Sequence, residues 1–244
     1  MDIGQLLSSY PRRRPPLPAP YQRVYEEEYR LNRSGEGPVY GLVKLLESWM
    51  HRRIARVPGP ARILELGAGG LNHLDYEPDA AAYDIVEPVR VAYAGSARLG
   101  RVRTVFDDVA DIPVDTRYDR VLSIAVLEHQ ADLPGIIART GLLLAPGGRF
   151  QAGIPTEGGL LWYLAWRFGT GLAYRRRTGL SYGPLMRHEH INRADEIETL
   201  VRHFFGRVSI QRFPMPFRHA SIYSYIEGES PVLDRCRNHV AQQP

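Results

Sequence analysis

The run Arg62-Ile63-Leu64-Glu65-Leu66-Gly67-Ala68-Gly69-Gly70-Leu71 constrains the fold more than any other stretch of the chain. An apolar strand reaches a carboxylate and then breaks into three glycines. Gly accepts positive φ and has no Cβ to collide with a bound molecule. An α/β protein uses such a break to bring its backbone close to a nucleotide-like ligand. The plain alternative is an ordinary strand–helix turn.

A dinucleotide site would read G-x-G-x-x-G. Counted from Gly67, its third glycine would fall on Asn72, so the closest helix–strand contact of that motif is lost. The following segments narrow the choice. Ala82-Tyr83-Asp84-Ile85-Val86-Glu87-Pro88 is a second short strand ending in an acid. An acid there can accept both hydroxyls of a ribose. Glu87 is favoured over Asp84, because Pro88 cannot donate to a ladder and leaves Glu87 at the strand tip. Val102-Arg103-Thr104-Val105-Phe106 follows, then Asp107-Asp108-Val109-Ala110-Asp111-Ile112-Pro113. Next come Tyr118-Asp119-Arg120-Val121-Leu122-Ser123-Ile124-Ala125-Val126-Leu127-Glu128-His129 and Leu144-Ala145-Pro146-Gly147-Gly148-Arg149-Phe150.

In this order, these pieces resemble the class I S-adenosylmethionine (SAM) methyltransferases. Glu65, Gly67 and Gly69 match the E-x-G-x-G loop. The further glycine often found at the place of Leu71 stands one residue early here, at Gly70. The resemblance implies that Glu65, Gly67, Ala68 and Gly69 form the cofactor loop and that Glu87 takes the ribose. It implies that Asp108 accepts from the exocyclic amine of the adenine and that Val109 offers its backbone N–H to the ring. The implied fold is a Rossmann-like α/β domain with a seven-stranded, mostly parallel sheet. Its last strand is antiparallel, and a helical lid follows the fifth strand. Ligands in such sheets bind outside the carboxyl ends of the strands. Glu65, Glu87, Asp108 and Ser123 are all expected there, so one cleft can hold them.

Around this core the chain divides simply. Residues 1–20 are rich in Pro and Arg and are expected to be extended or mobile. Residues 21–227 are expected to form the methyltransferase domain. Within it, 21–57 reads as helical, with Tyr40, Val43, Leu46, Trp49 and Met50 at three- and four-residue steps. Residues 154–190 form the expected lid, which carries Gly158-Gly159-Leu160-Leu161-Trp162-Tyr163-Leu164-Ala165-Trp166-Arg167-Phe168 and Arg175-Arg176-Arg177. The alternatives for this stretch are a core-packing helix and a membrane-surface helix, since aromatics followed by Arg suit an interface. Asn192 reads as the N-cap of a helix running to about Phe205. Residues 207–212 and 221–226 alternate as strands do. Residues 228–244 read as a tail.

An acceptor oxygen of ordinary alcohol pKa needs a base, and histidine suits that at neutral pH. His129 follows the fourth strand. His188 and His190 flank Glu189 where the lid returns. His129, His190 and Glu189 are therefore the catalytic candidates. A third ligand for a metal pair at His188 and His190 is not identifiable, so no metal is assigned. Arg187-His188-Glu189-His190-Ile191-Asn192 and Glu157-Gly158-Gly159-Leu160-Leu161-Trp162 resemble segments of bacterial methyltransferases acting on sugars, polysaccharides and natural products. That implies a small-molecule acceptor, a sugar hydroxyl or a relative.

Composition excludes other classes. The single cysteine, Cys236, permits no disulfide within the chain, which fits a reducing cytoplasm. No secretory signal and no apolar run of about 18 residues is found. The net charge of +4 rests almost wholly on arginine, with Lys44 the only lysine. Arginine spread along the chain argues against nucleic acid as the partner, and Arg12-Arg13-Arg14 and Arg175-Arg176-Arg177 are the local exceptions. RNA methylation and a non-catalytic SAM-fold subunit are the rival functions. The first lacks an RNA-binding module and an Asn-Pro-Pro-Tyr-like run, and the second is opposed by the intact cofactor set.

Overall fold

A computed structural model describes residues 2–22, 24–25, 48–56 and 60–242. Most of the expected helix over 21–57 lies outside these residues, including Tyr40, Val43 and Leu46. Residues 48–54 are helical, with Met50 and Ile54 fully buried.

The strands are β1 (Arg62–Leu66), β2 (Ala82–Val86), β3 (Thr104–Phe106), β4 (Tyr118–Ile124), β5 (Leu144–Pro155), β6 (Phe205–Pro214) and β7 (Ser221–Pro231). They form one seven-stranded sheet in the order β3-β2-β1-β4-β5-β7-β6. The first five pair in parallel. β7 runs antiparallel to both β5 and β6, between which it lies. β1 and β4 are covered on both faces, so Ile63, Leu64, Leu66, Val121 and Leu122 are all buried. That is why their sequences read as continuous apolar runs rather than alternating ones.

Besides the helical residues at 19–22, 24–25 and 48–54, the α-helices are α1 (Ile3–Ser8), α2 (Arg90–Tyr93), α3 (Leu133–Leu143), α4 (Leu160–Phe168), α5 (Thr170–Thr178), α6 (Gly183–Glu189), α7 (Ala194–Phe204) and α8 (Leu233–Ala241). The insertion after β5 is thus three consecutive helices, α4 to α6. α7 buries Ile197, Leu200, Val201 and Phe204 at helical spacing. Its N-cap is Arg193, not Asn192. Asn192 instead donates to the carbonyls of Leu127 (2.9 Å) and Gln130 (2.7 Å), tying the start of α7 to the exit of β4.

Both chain ends depart from the expectation. Residues 1–20 are not simply extended: α1 is capped by Asp2 and buries Leu6. The Tyr10 hydroxyl donates to Asn192, and Arg12 makes a two-pronged pair with Glu196 at 2.8 Å. The Pro-rich composition hid these anchors because each partner lies more than 170 residues away. Residues 228–244 are not a plain tail. β7 continues to Pro231, and α8 then packs with Cys236 fully buried against the carbonyl of Phe204. Burial pushes the Cys236 thiol up to about 11, so it is an inert packing group.

Candidate active site

The glycine loop leaves β1 through three left-handed residues: Gly67 (φ +69°), Gly69 (φ +50°) and Leu71 (φ +64°). A Cβ on Gly67 would lie 2.4 Å from a Val126 methyl, so only glycine fits against the exit of β4. Leu71 holds the left-handed turn that a glycine would hold more easily. Its full burial offsets the roughly 1–2 kcal/mol cost of that conformation. Gly70, one residue early, does not adopt positive φ.

The loop is locked to the tip of β2. Gly69 N–H donates to Glu87 Oε2 at 2.8 Å, and Val89 N–H donates to Glu87 Oε1 at 3.0 Å. Glu87 is therefore placed by backbone amides, and each oxygen keeps accepting capacity. Asp84 lies inside β2, bound to Arg103 and to the Tyr118 hydroxyl, and is engaged within the fold. Glu65 accepts from the Tyr83 hydroxyl at 2.7 Å in the core. Burial, opposed by His73 and Tyr83, pushes its carboxyl up to about 7. Asp108 caps the turn after β3 by accepting from Ala110 N–H at 2.8 Å, while Asp111 accepts from Asp108 N–H at 3.0 Å.

A cavity of about 150 Å³ opens here. Gly67, Asp108 and Val109 line it with Leu66, Val86, Pro88, Val126 and Leu127. Glu87 sits in the chain between two of its lining residues. Ser123 is fully buried on β4 beside Leu66, and its Oγ has no partner among the described residues. Ser123 is not among the residues that line the cavity; the glycine loop, the amide-held Glu87 and the cavity beside them fit a nucleoside-bearing ligand. A larger cleft of about 710 Å³ lies at the other end of β5, around Ala145–Gly148, Pro231 and α8, and shares only Val109 with the first. Size alone would point to the wrong end of the sheet, because ligands of parallel sheets meet the carboxyl ends.

The wall formed by Val126 and Leu127 continues into Glu128 and His129, where the three catalytic candidates meet. His129 Nδ1 lies 2.8 Å from the Glu189 carbonyl and 3.6 Å from Glu189 Oε2. The rings of His129 and His190 meet edge to face, with centroids 4.8 Å apart. His190 Nδ1 contacts the Glu157 carboxylate at hydrogen-bonding range. Burial works against a charged His190, but the bond to Glu157 together with the charges of Glu157, Glu128 and Glu189 outweighs it and raises the imidazole pKa. Burial also raises the Glu157 carboxyl, offset only in part by His190. Trp162 of α4 flanks His190 at 6.4 Å. His188 belongs elsewhere: its Nδ1 lies 2.7 Å from the Pro15 carbonyl. Among the described residues no group of three or more His, Cys, Asp and Glu side chains is arranged to hold a metal ion.

Two members of this cluster escaped the sequence reading. Glu157 reaches His190 across 33 residues, so no local spacing reveals it. Glu128 directly precedes His129, and an acid beside a candidate base was the available signal.

The methyltransferase domain family matches residues 41–204, two thirds of the chain, and the protein belongs to that family. No curated protein matches. Solved structures share the fold at low identity. A SAM-dependent methyltransferase from Thermotoga maritima, described as a possible histamine N-methyltransferase, is 16% identical, with a TM-score of 0.55, over 86% of this chain and 97% of that one. The N-methyltransferase NodS of Bradyrhizobium japonicum, in complex with S-adenosylhomocysteine, is 14% identical, with a TM-score of 0.54, over 80% of this chain and 89% of that one. An O-methyltransferase family protein from Burkholderia thailandensis is 14% identical, with a TM-score of 0.51, over 76% of this chain and 56% of that one. The protein is a SAM-dependent methyltransferase of the class I fold.

Proposed function

We propose that the protein methylates a hydroxyl of a sugar or related small metabolite in bacterial glycan or natural-product biosynthesis. The observation that carries this reading is contiguity. Val126 and Leu127 line the cavity at the glycine loop, and the next two residues enter the His129–His190–Glu157 cluster. In this reading Gly67, Ala68, Gly69, Glu87, Asp108, Val109 and Ser123 hold the cofactor. Glu65 supports the loop from behind, through Tyr83.

When bound, SAM supplies a methyl already activated on a sulfonium sulfur. The chain's own task is then to align the acceptor, which good positioning can reward with about 7–11 kcal/mol, and to take its proton. Glu157 accepts from His190 Nδ1–H, which fixes the tautomer and leaves Nε2 as the basic nitrogen. His190 is the base in this reading. His129 and Glu189 pack beside it and fix its surroundings.

A second observation supports transient contact with an anionic membrane surface. Leu160, Tyr163, Leu164 and Phe168 of α4 are exposed, and Arg175, Arg176 and Arg177 follow on α5. No helix among the described residues is long and apolar enough to cross a membrane. A cytoplasmic enzyme touching a membrane-bound acceptor fits both features.

The test is transfer of labelled methyl from SAM to a panel of sugars, nucleotide sugars and small phenols, with RNA as a control. Label on a carbohydrate hydroxyl is expected. Label on RNA alone, or on no hydroxyl acceptor, overturns the reading.

A further inference from the structure

Glu128 is the one buried acid at the site that the proton transfer leaves without a task. Its side chain is 2% exposed. Its backbone carbonyl accepts from both Ile191 N–H (2.9 Å) and Asn192 N–H (3.0 Å), which fixes the residue against the lid's return. One carboxylate oxygen lies 3.9 Å from His129 Nε2, and the other has no partner among the described residues. A buried carboxylate with an unmet oxygen is costly. Proteins keep one where a ligand supplies the donor.

The surroundings say which donor. Glu128, Glu157 and Glu189 gather around the two imidazoles of His129 and His190. Arg14 lies 3.5 Å from Glu189. Arg193 and Arg218, beside Gly158, share one oxygen of Asp195, and Arg218 also donates to the Glu157 backbone carbonyl at 3.1 Å. Among the described residues no arginine pairs with Glu128, whose one charged neighbour is His129 at 3.9 Å. The lid side is aromatic: Trp162 next to His190, then Trp166 and Tyr182. Trp166 Nε1 is also buried without a partner among the described residues. A buried carboxylate with no cation paired to it, set beside an aromatic wall, attracts an alkylammonium group, through charge and through the ring quadrupole.

We infer that the acceptor carries a protonated amine close to its reacting hydroxyl, and that Glu128 accepts its N–H; the inference rests on the methyl-transfer reading above. The substrate class is an amino sugar or a related amino alcohol. Glu128 holds the amine while His190 takes the hydroxyl proton, so the two acids of the site divide recognition from base support.

Calorimetry tests this on protein saturated with S-adenosylhomocysteine. The probes are matched pairs, glucosamine with glucose and galactosamine with galactose. One charge-assisted hydrogen bond predicts that the amine of each pair binds about tenfold more tightly. Glu128→Gln should abolish that preference while S-adenosylhomocysteine affinity stays unchanged. Equal binding of both members of each pair to the wild type overturns the inference. So does a preference that survives in Glu128→Gln. A tenfold loss of S-adenosylhomocysteine affinity in that variant overturns it too, by assigning the free oxygen to the cofactor. Should Glu128→Gln fail to fold, Glu128→Asp replaces it, and the wild-type pairs remain decisive alone. Methylation of neutral sugars without any amine preference would sink this inference and leave the proposed function standing. Amine preference that Glu128→Gln abolishes, without hydroxyl methylation, would sink the proposed function and leave standing only the amine contact at Glu128.

Discussion

Among the described residues, acids and imidazoles are buried together in two places, and they are built differently. One lies behind β1. Arg120 donates to Gln151 Oε1, Glu77 Oε2 and the Ile54 carbonyl, each at 2.8 Å. Glu77 also meets His73 Nε2 at 3.1 Å, and His73 Nδ1 meets His51 Nδ1 at 3.0 Å. Gln151 passes the chain on to Tyr225 at 2.7 Å, and the Tyr225 hydroxyl donates to Glu227 at 2.5 Å. Every member has a partner. The other place is the exit of β4, where Glu128 and Ser123 each keep a buried oxygen unmet among the described residues. Satisfied networks rigidify and specify a fold. Unsatisfied valences are a standing cost that a ligand can remove. The contrast separates burial for structure from burial for function, although both use the same residue types.

The largest effect should come from opening the closed network. Arg120→Leu removes the guanidinium and strands Glu77, whose carboxyl His73 and Arg120 hold below the usual range against the pull of burial. Breaking one partner of a buried pair costs about 3–5 kcal/mol. At about 2–4 °C per kcal/mol for a chain of this size, the melting temperature should fall by several degrees at least. A melt unchanged from wild type would mean that the network is decoration and that the contrast fails.

The second effect belongs to the open cluster and should spare stability. His190→Ala should lower kcat by about 10²–10⁴ while S-adenosylhomocysteine affinity holds. The pH profile sharpens this. The His190 pKa is raised above the usual 6.5, and the base must be neutral, so kcat should rise with pH through an ionisation above 6.5. Stability carries the opposite sign. The charged contact with Glu157 is fully present below 6.5 and is lost as pH rises through the folded value. Glu65, raised to about 7, adds a loss over the range from 4.5 to 7 in wild type and variant alike. Subtracting the two melting profiles isolates the His190–Glu157 pair. A flat difference above pH 6.5 counts against its pairing with Glu157.

How much of this was legible in the chain follows from how far apart the partners lie. The geometry of the glycine loop was readable because its information is local. Glycines mark left-handed backbone at Gly67 and Gly69, and Pro88 marks the strand tip at Glu87. Leu71 shows the limit, because a buried leucine took the conformation that composition would have given to a glycine. The closed network was invisible. Arg120 reaches Glu77 over 43 residues and Ile54 over 66, and no periodicity records that. The histidine cluster was half readable. His129 and His190 were suspect as residue types, whereas Glu157 and Glu128 gained meaning only once α6 returned to β4. The N-terminus misled for the same reason, since Tyr10 and Arg12 find their partners near residue 192.

A third and smaller effect tests the other half of the open region. Glu87→Ala removes a carboxylate that Gly69 and Val89 hold in place. If it accepts a ribose hydroxyl, S-adenosylhomocysteine affinity should drop about tenfold or more, given about 1.5–3 kcal/mol per charge-assisted bond. Gly69→Ala controls for loop shape. It would force a side chain into the left-handed region, although open space surrounds the position. Affinity lost in Gly69→Ala but kept in Glu87→Ala would make the lock structural and move the ribose contact elsewhere.

The smallest effect is the one whose sign decides the comparison. Glu128→Gln keeps the shape of the side chain and removes a buried carboxylate that meets no donor on one oxygen. At the closed network an equivalent loss of charge breaks bonds and must destabilise. At the open cluster little is broken: the contact to His129 is long, at 3.9 Å, and the bonds that fix the residue are made by its backbone carbonyl. The variant should therefore melt no lower than wild type, and up to about 1 kcal/mol of gain would raise it by about 2–4 °C. Functional sites commonly carry such a deficit, because they are shaped for a partner that the free protein lacks. Adding the amine ligand should then stabilise the wild type and leave the variant unmoved. If Glu128→Gln instead destabilises as Arg120→Leu does, the unmet oxygen has a structural partner. The exit of β4 would then be a second closed network, and the distinction between the two regions would be gone.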